Sequence, residues 1–170
     1  MEQITLVLDN IRSAHNVGAI MRSAAAFGIR DMACLGVTPY PRRWDDSRLP
    51  HIASRAHRAI AKTALGAEEA LTVRHFPRID DFQQQFTASV YALEQTSEAT
   101  GLPDFTPRPP LALIIGNELE GVSGRALART AGCIQIPQET TAKASLNAAT
   151  ACGVALYGCY TKLHQRTQDD

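Results

Sequence analysis

The chain has 170 residues, 45 % of them apolar, which is enough for one domain with a substantial core. Seventeen Lys and Arg balance seventeen Asp and Glu, so bulk charge does not mark a nucleic-acid binder. No apolar run approaches the ~20 residues a bilayer requires, and the start Met1-Glu2-Gln3-Ile4 lacks the basic region of a secretory leader. The four cysteines, at 34, 133, 152 and 159, show no CxxC spacing, which argues against a zinc site and a disulfide framework. The expectation is a cytoplasmic protein with buried thiols, no metal and no membrane partner.

The elements alternate along the whole chain. Residues 4–8 form a continuous apolar run of strand length. Residues 16–27 follow with helical spacing through Val17, Ile20, Met21 and Ala24, and stop at Gly28. A second strand is predicted over 32–37, a proline-containing loop over 38–50 and a helix over 51–64. Further along come strands over 71–76 and 89–94, with a helix over 80–87 between them. After a connector over 103–110 the pattern gives a strand over 111–115, a helix over 123–130 and a strand over 133–136. A loop over 137–144 leads into a long helix over 146–164. Alternation of this kind, with near-continuous apolar strands, predicts an α/β domain: a mainly parallel sheet covered by helices on both faces. Neither a composition break nor an internal repeat divides it.

Ligands of open parallel sheets bind beyond the carboxyl ends of the strands. Neither GxGxxG nor GxxxxGK[ST] occurs here, so a dinucleotide fold and a P-loop are both unsupported. Three other segments carry polar groups at such ends. In the first, Asn16 stands at a helix start, where it could simply cap the helix. Gly18, within that helix, implies a close approach, and Arg22 could be a plain surface arginine. In the second, Gly116-Asn-Glu-Leu-Glu-Gly121 follows a buried strand, and Glu118 could cap the next helix. In the third, Ser145 and Asn147 flank Leu146 at the start of the last helix, where one cap would suffice.

Charge is unevenly spread. Residues 1–62 carry nine Lys and Arg against five Asp and Glu, a balance of +4; residues 63–170 carry eight against twelve, a balance of −4. The densest basic stretch includes Arg42, Arg43, Arg48, Arg55, Arg58 and Lys62, with Tyr40, Trp44, His51 and His57 between them. It reads equally well as a solvated face or a phosphate-binding surface.

Taken together, Asn16-Val-Gly-Ala-Ile-Met-Arg22, Ile115-Gly-Asn-Glu-Leu-Glu-Gly121, and Ile136-Pro137 followed by Ser145-Leu-Asn147 closely resemble the three motifs of the SpoU (TrmH-like) ribose 2′-O-methyltransferases of the SPOUT superfamily. The resemblance runs over about residues 4–164, and its strength lies in three motifs in one register. It implies a C-terminal trefoil knot of the SPOUT type, although knots are nearly absent from proteins in general. It also implies a homodimer through the knotted region. S-adenosylmethionine would be held by main-chain groups around Leu93, Gly116 and Ile136, with Ser145 and Leu146. Asn16, Arg22, Glu118, Ser145 and Asn147 match the positions that carry catalysis.

The methyl donor is already activated, so the protein must place the ribose in line and manage a proton, and no metal is implied. In such enzymes the arginine matching Arg22 is often assigned as general base. A guanidinium does not readily give up its proton, so a charged clamp on the phosphate and the emerging alkoxide is the easier role. The chain reads as a single domain over 1–170 without an N-terminal RNA-binding extension. RNA contact would then fall to the basic stretch, with Arg42, Arg43 and Arg55 as candidates. A compact dimer favours transfer RNA over ribosomal RNA. The alternatives are a ribosomal RNA 2′-O-methyltransferase, a SPOUT enzyme acting on a base, and a non-catalytic RNA-binding module. A hydrolase using Ser145 lacks a GxSxG elbow.

Overall fold

The computed structural model describes residues 3–139 and 145–166, without the side chain of Arg166. Seven parallel strands form one sheet in the order β3-β2-β1-β6-β4-β7-β5. In chain order these are β1 (Ile4–Asp9), β2 (Asp31–Leu35), β3 (Thr72–Phe76), β4 (Ser89–Leu93), β5 (Thr100–Gly101), β6 (Leu111–Ile115) and β7 (Gly132–Gln135). The helices are α1 (Ala14–Ala26), α2 (Pro50–Ala64), α3 (Ile79–Gln83), α4 (Gly124–Leu127) and α5 (Ala148–Arg166).

The run of apolar residues in β1 and β6 is explained by burial on both faces. Leu6, Leu8, Leu113 and Ile115 point into a core shared with α1, α2 and α5. Val7, Ala112 and Ile114 point the other way, into a smaller core with Phe82 of α3 and Ala126 of α4. Side chains alternate across a strand, so two-sided burial calls for apolar residues facing both ways.

Local details differ from the sequence reading. The first helix begins at Ala14, and Ser13, not Asn16, is its cap: the Ser13 hydroxyl accepts from the Asn16 backbone N–H at 3.2 Å. The helices near 80–87 and 123–130 are shorter than expected, at Ile79–Gln83 and Gly124–Leu127. A two-residue strand, Thr100–Gly101, and a 3-10 turn at Ala67–Glu69 were not anticipated. Part of the expected loop over 137–144, residues 140–144, lies outside the described residues.

Gly18 does allow a close approach. A Cβ there would lie 2.3 Å from the Ile60 carbonyl oxygen and 2.2 Å from the Thr63 hydroxyl, so α1 and α2 meet almost backbone to backbone. Thr63 seals the contact by donating to the His15 carbonyl at 2.9 Å. The long helix α5 is tied to the turn after β5 by Lys162, whose ammonium donates to the carbonyls of Leu102, Pro103 and Phe105.

Candidate active site

A cavity of about 290 Å³ opens beyond the carboxyl ends of β4, β6 and β7. Leu93, Gly116, Ile136, Ser145 and Leu146, the five residues expected to hold a donor, all line it. Ile115, Ile134, Ala148 and Ala151 supply further apolar wall, while Glu94, Glu118 and Glu120 bring carboxylates to it. An apolar slot edged by acids suits a ligand that carries both a flat aromatic base and a cation.

The loop between Gly116 and Ser123 is held by three polar residues whose part sequence reasoning missed. Asn117 donates through Nδ2 to the Asn10 carbonyl at 2.8 Å, and its Oδ1 accepts from the N–H groups of Leu119 and Glu120. Its backbone forms a two-way bridge with Gly121, 2.9 Å in each direction. Glu94 accepts from Val122 N–H and Asp9 from Ser123 N–H, both at 2.8 Å. Carboxylates accepting backbone N–H bonds make strong, oriented contacts. Glu94 directly after β4 and Asp9 as the last residue of β1 were the available signal. Gly116 is required because the loop folds back on it: a Cβ would lie 2.2 Å from Val122 N. Gly121 combines a φ of +70° with a Cβ position 2.3 Å from a Glu94 oxygen, so both conformation and space exclude a side chain.

Three of the five expected catalytic residues form one chain of hydrogen bonds. Asn16 donates through Nδ2 to Glu118 Oε1 at 2.5 Å, and Asn147 donates through Nδ2 to Asn16 Oδ1 at 3.2 Å. The Asn147 side-chain Oδ1 accepts from Ala149 and Thr150 N–H. Asn147 is therefore both the cap of α5 and a link to the motif on α1. Ser145 stands exposed on the cavity wall. Arg22 is not part of this cluster. It is exposed on α1 and, six residues beyond Asn16 in the same helix, points about 240° around the axis from it. Among the described residues it has no hydrogen-bond or ion-pair partner.

The basic stretch is partly spent on itself. Arg43 pairs with Asp45, at 2.9 Å from Nε and 2.5 Å from Nη2, and Arg48 pairs with Asp46. Arg48 also covers the Tyr40 ring at 3.5 Å and bonds to the carbonyls of Tyr40 and Pro41, which makes it a brace of the loop. Arg42 and Arg43 line a groove with Trp44, Ser54, His57 and Arg58; Arg55 is not among its lining residues.

Among the described residues no group of His, Cys, Asp or Glu could hold a metal ion, and no helix is long and apolar enough to cross a membrane.

This seven-stranded parallel α/β fold is the one seen in solved TrmH/SpoU methyltransferase structures. The chain belongs to the SpoU rRNA Methylase family, whose model matches residues 3–157. It is 29 % identical over 163 residues to the 23S rRNA (guanosine-2′-O-)-methyltransferase RlmB of Coxiella burnetii, covering 91 % of this chain and 56 % of that protein. The chain spans about half the length of the first curated relatives it matches. Among solved structures it resembles the SpoU methyltransferase AviRb of Streptomyces viridochromogenes in complex with AdoMet, with a TM-score of 0.74, 22 % identity, and coverage of 97 % of this chain and 62 % of that one. A chain solved in work on 2-OH methylation of C/U34 on tRNA gives a TM-score of 0.74 at 26 % identity, covering 95 % of this chain and 97 % of that one.

Proposed function

We propose that this protein transfers a methyl group from S-adenosylmethionine to a ribose 2′-hydroxyl of RNA, with transfer RNA as the substrate class. The observation that carries the reading is the Glu118–Asn16–Asn147 chain standing beside a cavity lined by all five donor-binding candidates. When bound, the donor supplies a methyl group already activated on a sulfonium. Leu93, Ile134 and Ile136 would flank its base, with Glu94 or Glu118 facing its positive charge. The likeness to the chain solved for C/U34 methylation on tRNA, nearly complete in both directions, favours transfer RNA over ribosomal RNA.

The protein's own work is placement. Asn16 is fixed at both ends of its amide, so its orientation is set before any substrate arrives, as preorganised electrostatic catalysis requires. Ser145 stands at the wall as a hydroxyl for donor or ribose. Arg22, charged and unpaired among the described residues, is suited to grip a phosphate and steady the developing alkoxide.

Arg22 points away from the cavity cluster of its own chain, and this supports a homodimer in which a second copy completes each site. Next to Arg22, Ser23 and Phe27 pack on α5 against Gly153 and Tyr157. The adjoining surface of α5 exposes Val154 and Tyr157, at 39 % and 59 %, an apolar stripe with small neighbours that suits helix-to-helix packing. Insertion of β6 and β7 between strands laid down earlier in the chain supports the knotted topology, and a cytoplasmic location fits the RNA substrate.

The test is incubation with methyl-labelled donor and separate transfer and ribosomal RNA pools, with Ser145→Ala and Arg22→Ala as controls. Label entering transfer RNA only, and only with the unaltered protein, supports the reading. Label confined to ribosomal RNA would replace the substrate, and absence of label in both would remove the activity.

A further inference from the structure

The groove beside α2 is more than a basic patch, because its wall holds an unused aromatic ring. Trp44, the only tryptophan in the chain, is 99 % exposed. The loop that presents it is braced on both sides. Arg43 pairs with Asp45, Arg48 pairs with Asp46, and Asp46 also accepts from the backbone N–H groups of Arg43 and Arg48. Tyr40 anchors the base of the loop between the Arg48 guanidinium and the His75 ring, whose centroid is 4.6 Å away. The braces fix where the loop presents Trp44, so less backbone order is lost when a flat partner stacks on the exposed ring.

The charges around the ring point to what that partner is. Asp45 and Asp46 are committed to Arg43 and Arg48, while Arg42 and Arg58 have no ion pair among the described residues. Between them the groove encloses about 480 Å³. The Nδ1 atom of His57, on the same wall, is buried with no hydrogen-bond partner among the described residues. Exposed cations flanking an exposed aromatic face are the two parts of a single-strand nucleic-acid site, one for the phosphates and one for the base. The loop leaves the carboxyl end of β2, the edge of the sheet on which the donor cavity opens. Its root lies two strands from β6, about 10 Å.

We propose that this groove is a subsite for an unpaired nucleotide of the RNA substrate, in which the base stacks on Trp44 and Arg42 and Arg58 hold the adjoining phosphates. The subsite selects RNA with an unstacked, single-stranded base close to the methylated ribose. This rests on the reading of the protein as an RNA enzyme and adds to it a structural requirement on the RNA.

The single tryptophan makes the test direct. Its emission is followed during titration with a fluorescently labelled twelve-nucleotide oligouridylate, whose binding is read separately by anisotropy. A twelve-base-pair RNA duplex and a twelve-residue polyglutamate peptide serve as comparisons. The proposal requires strong quenching by the single strand and little by the duplex. It also requires a roughly ten- to hundredfold loss of single-strand affinity in Trp44→Ala, the worth of one stacked base. Arg58→Ala should lower the slope of log affinity against log salt by about 0.7. Tight oligouridylate binding with unchanged emission would overturn the subsite and leave the RNA-enzyme reading standing. Binding of neither RNA would overturn both. Equal quenching by the duplex, or by polyglutamate, would overturn the stacking of an unpaired base.

Discussion

The side-chain amide of Asn147 donates to the side-chain carbonyl of Asn16 at 3.2 Å, joining the start of the last helix to the first turn of the first helix across 131 residues. Because Asn16 in turn donates to Glu118, one line of hydrogen bonds runs through all three motifs. The same Asn147 caps α5 through its Oδ1, so one side chain serves stability with its oxygen and the site with its nitrogen.

Those two roles separate by substitution. Asn147→Asp keeps a good cap, since Asp and Asn are nearly equal there, but removes the donor to Asn16 and sets a carboxylate beside it. Its melting temperature should stay close to that of the unaltered protein while methyl transfer falls tenfold or more. Asn147→Ala should lose the same activity and also about 1 kcal/mol of stability. Thermal melts and single-turnover transfer together check both. Full activity in Asn147→Asp would show that the link to Asn16 is incidental.

Arg22→Lys tests whether a guanidinium is needed. Lysine keeps the charge but presents no planar fork for bidentate contact. Donor affinity, measured by calorimetry, should be unchanged, and most methyl transfer should be lost. Near-normal turnover would remove the clamp and the base roles together.

Much of the fold was legible because its signals are local. The apolar runs of β1 and β6 require burial on both faces, and Gly18 advertised the contact that α2 makes. Thr100–Gly101 was invisible because two residues carry no period, and it is a strand only through its pairing with β7. Ser13 was overlooked as a cap because the helical spacing was counted from Val17, three residues inside the true boundary. The Asn16–Glu118 contact could not be read from spacing at all, since the partners lie 102 residues apart; only the resemblance of three motifs in register brought them together. Asn117, Glu94 and Asp9 escaped notice because their role is to shape a loop.

Acid should loosen the loop that carries Trp44. The hydrogen bond from Arg48, with two backbone N–H groups, holds the Asp46 carboxyl well below its ordinary 3.8, and its side chain is 6 % exposed. A depressed carboxyl value stabilises the folded state above the unfolded value and loses that effect as pH falls through the native one. The contribution is thus complete above about pH 4 and declines below it. Asp46→Asn should cost about 1 kcal/mol at neutral pH and should flatten the acid limb of the stability curve. Denaturant melts between pH 2 and 7 measure this, and an unchanged acid limb would contradict it.

Three of the four thiols should be inert in the folded protein. Burial pushes Cys34 up to about 12 and Cys159 to about 11, and raises Cys152 as well, so almost no reactive thiolate is present near neutral pH. Iodoacetamide at pH 8 should modify Cys133, which is only partly buried, and leave the other three until denaturant is added. Peptide mass spectrometry reads the sites directly. Modification of Cys34 in the native protein would contradict its full burial.

Alkaline hydrolysis of the labelled RNA distinguishes a methyl group on a ribose oxygen from one on a base. Alkali cleaves RNA through the 2′-hydroxyl next to each phosphate, and a methylated 2′-oxygen cannot act in this way. Transfer RNA labelled by this protein should therefore release its label in alkali-resistant dinucleotides. Label recovered instead in mononucleotides would place the methyl group on a base and overturn ribose methylation.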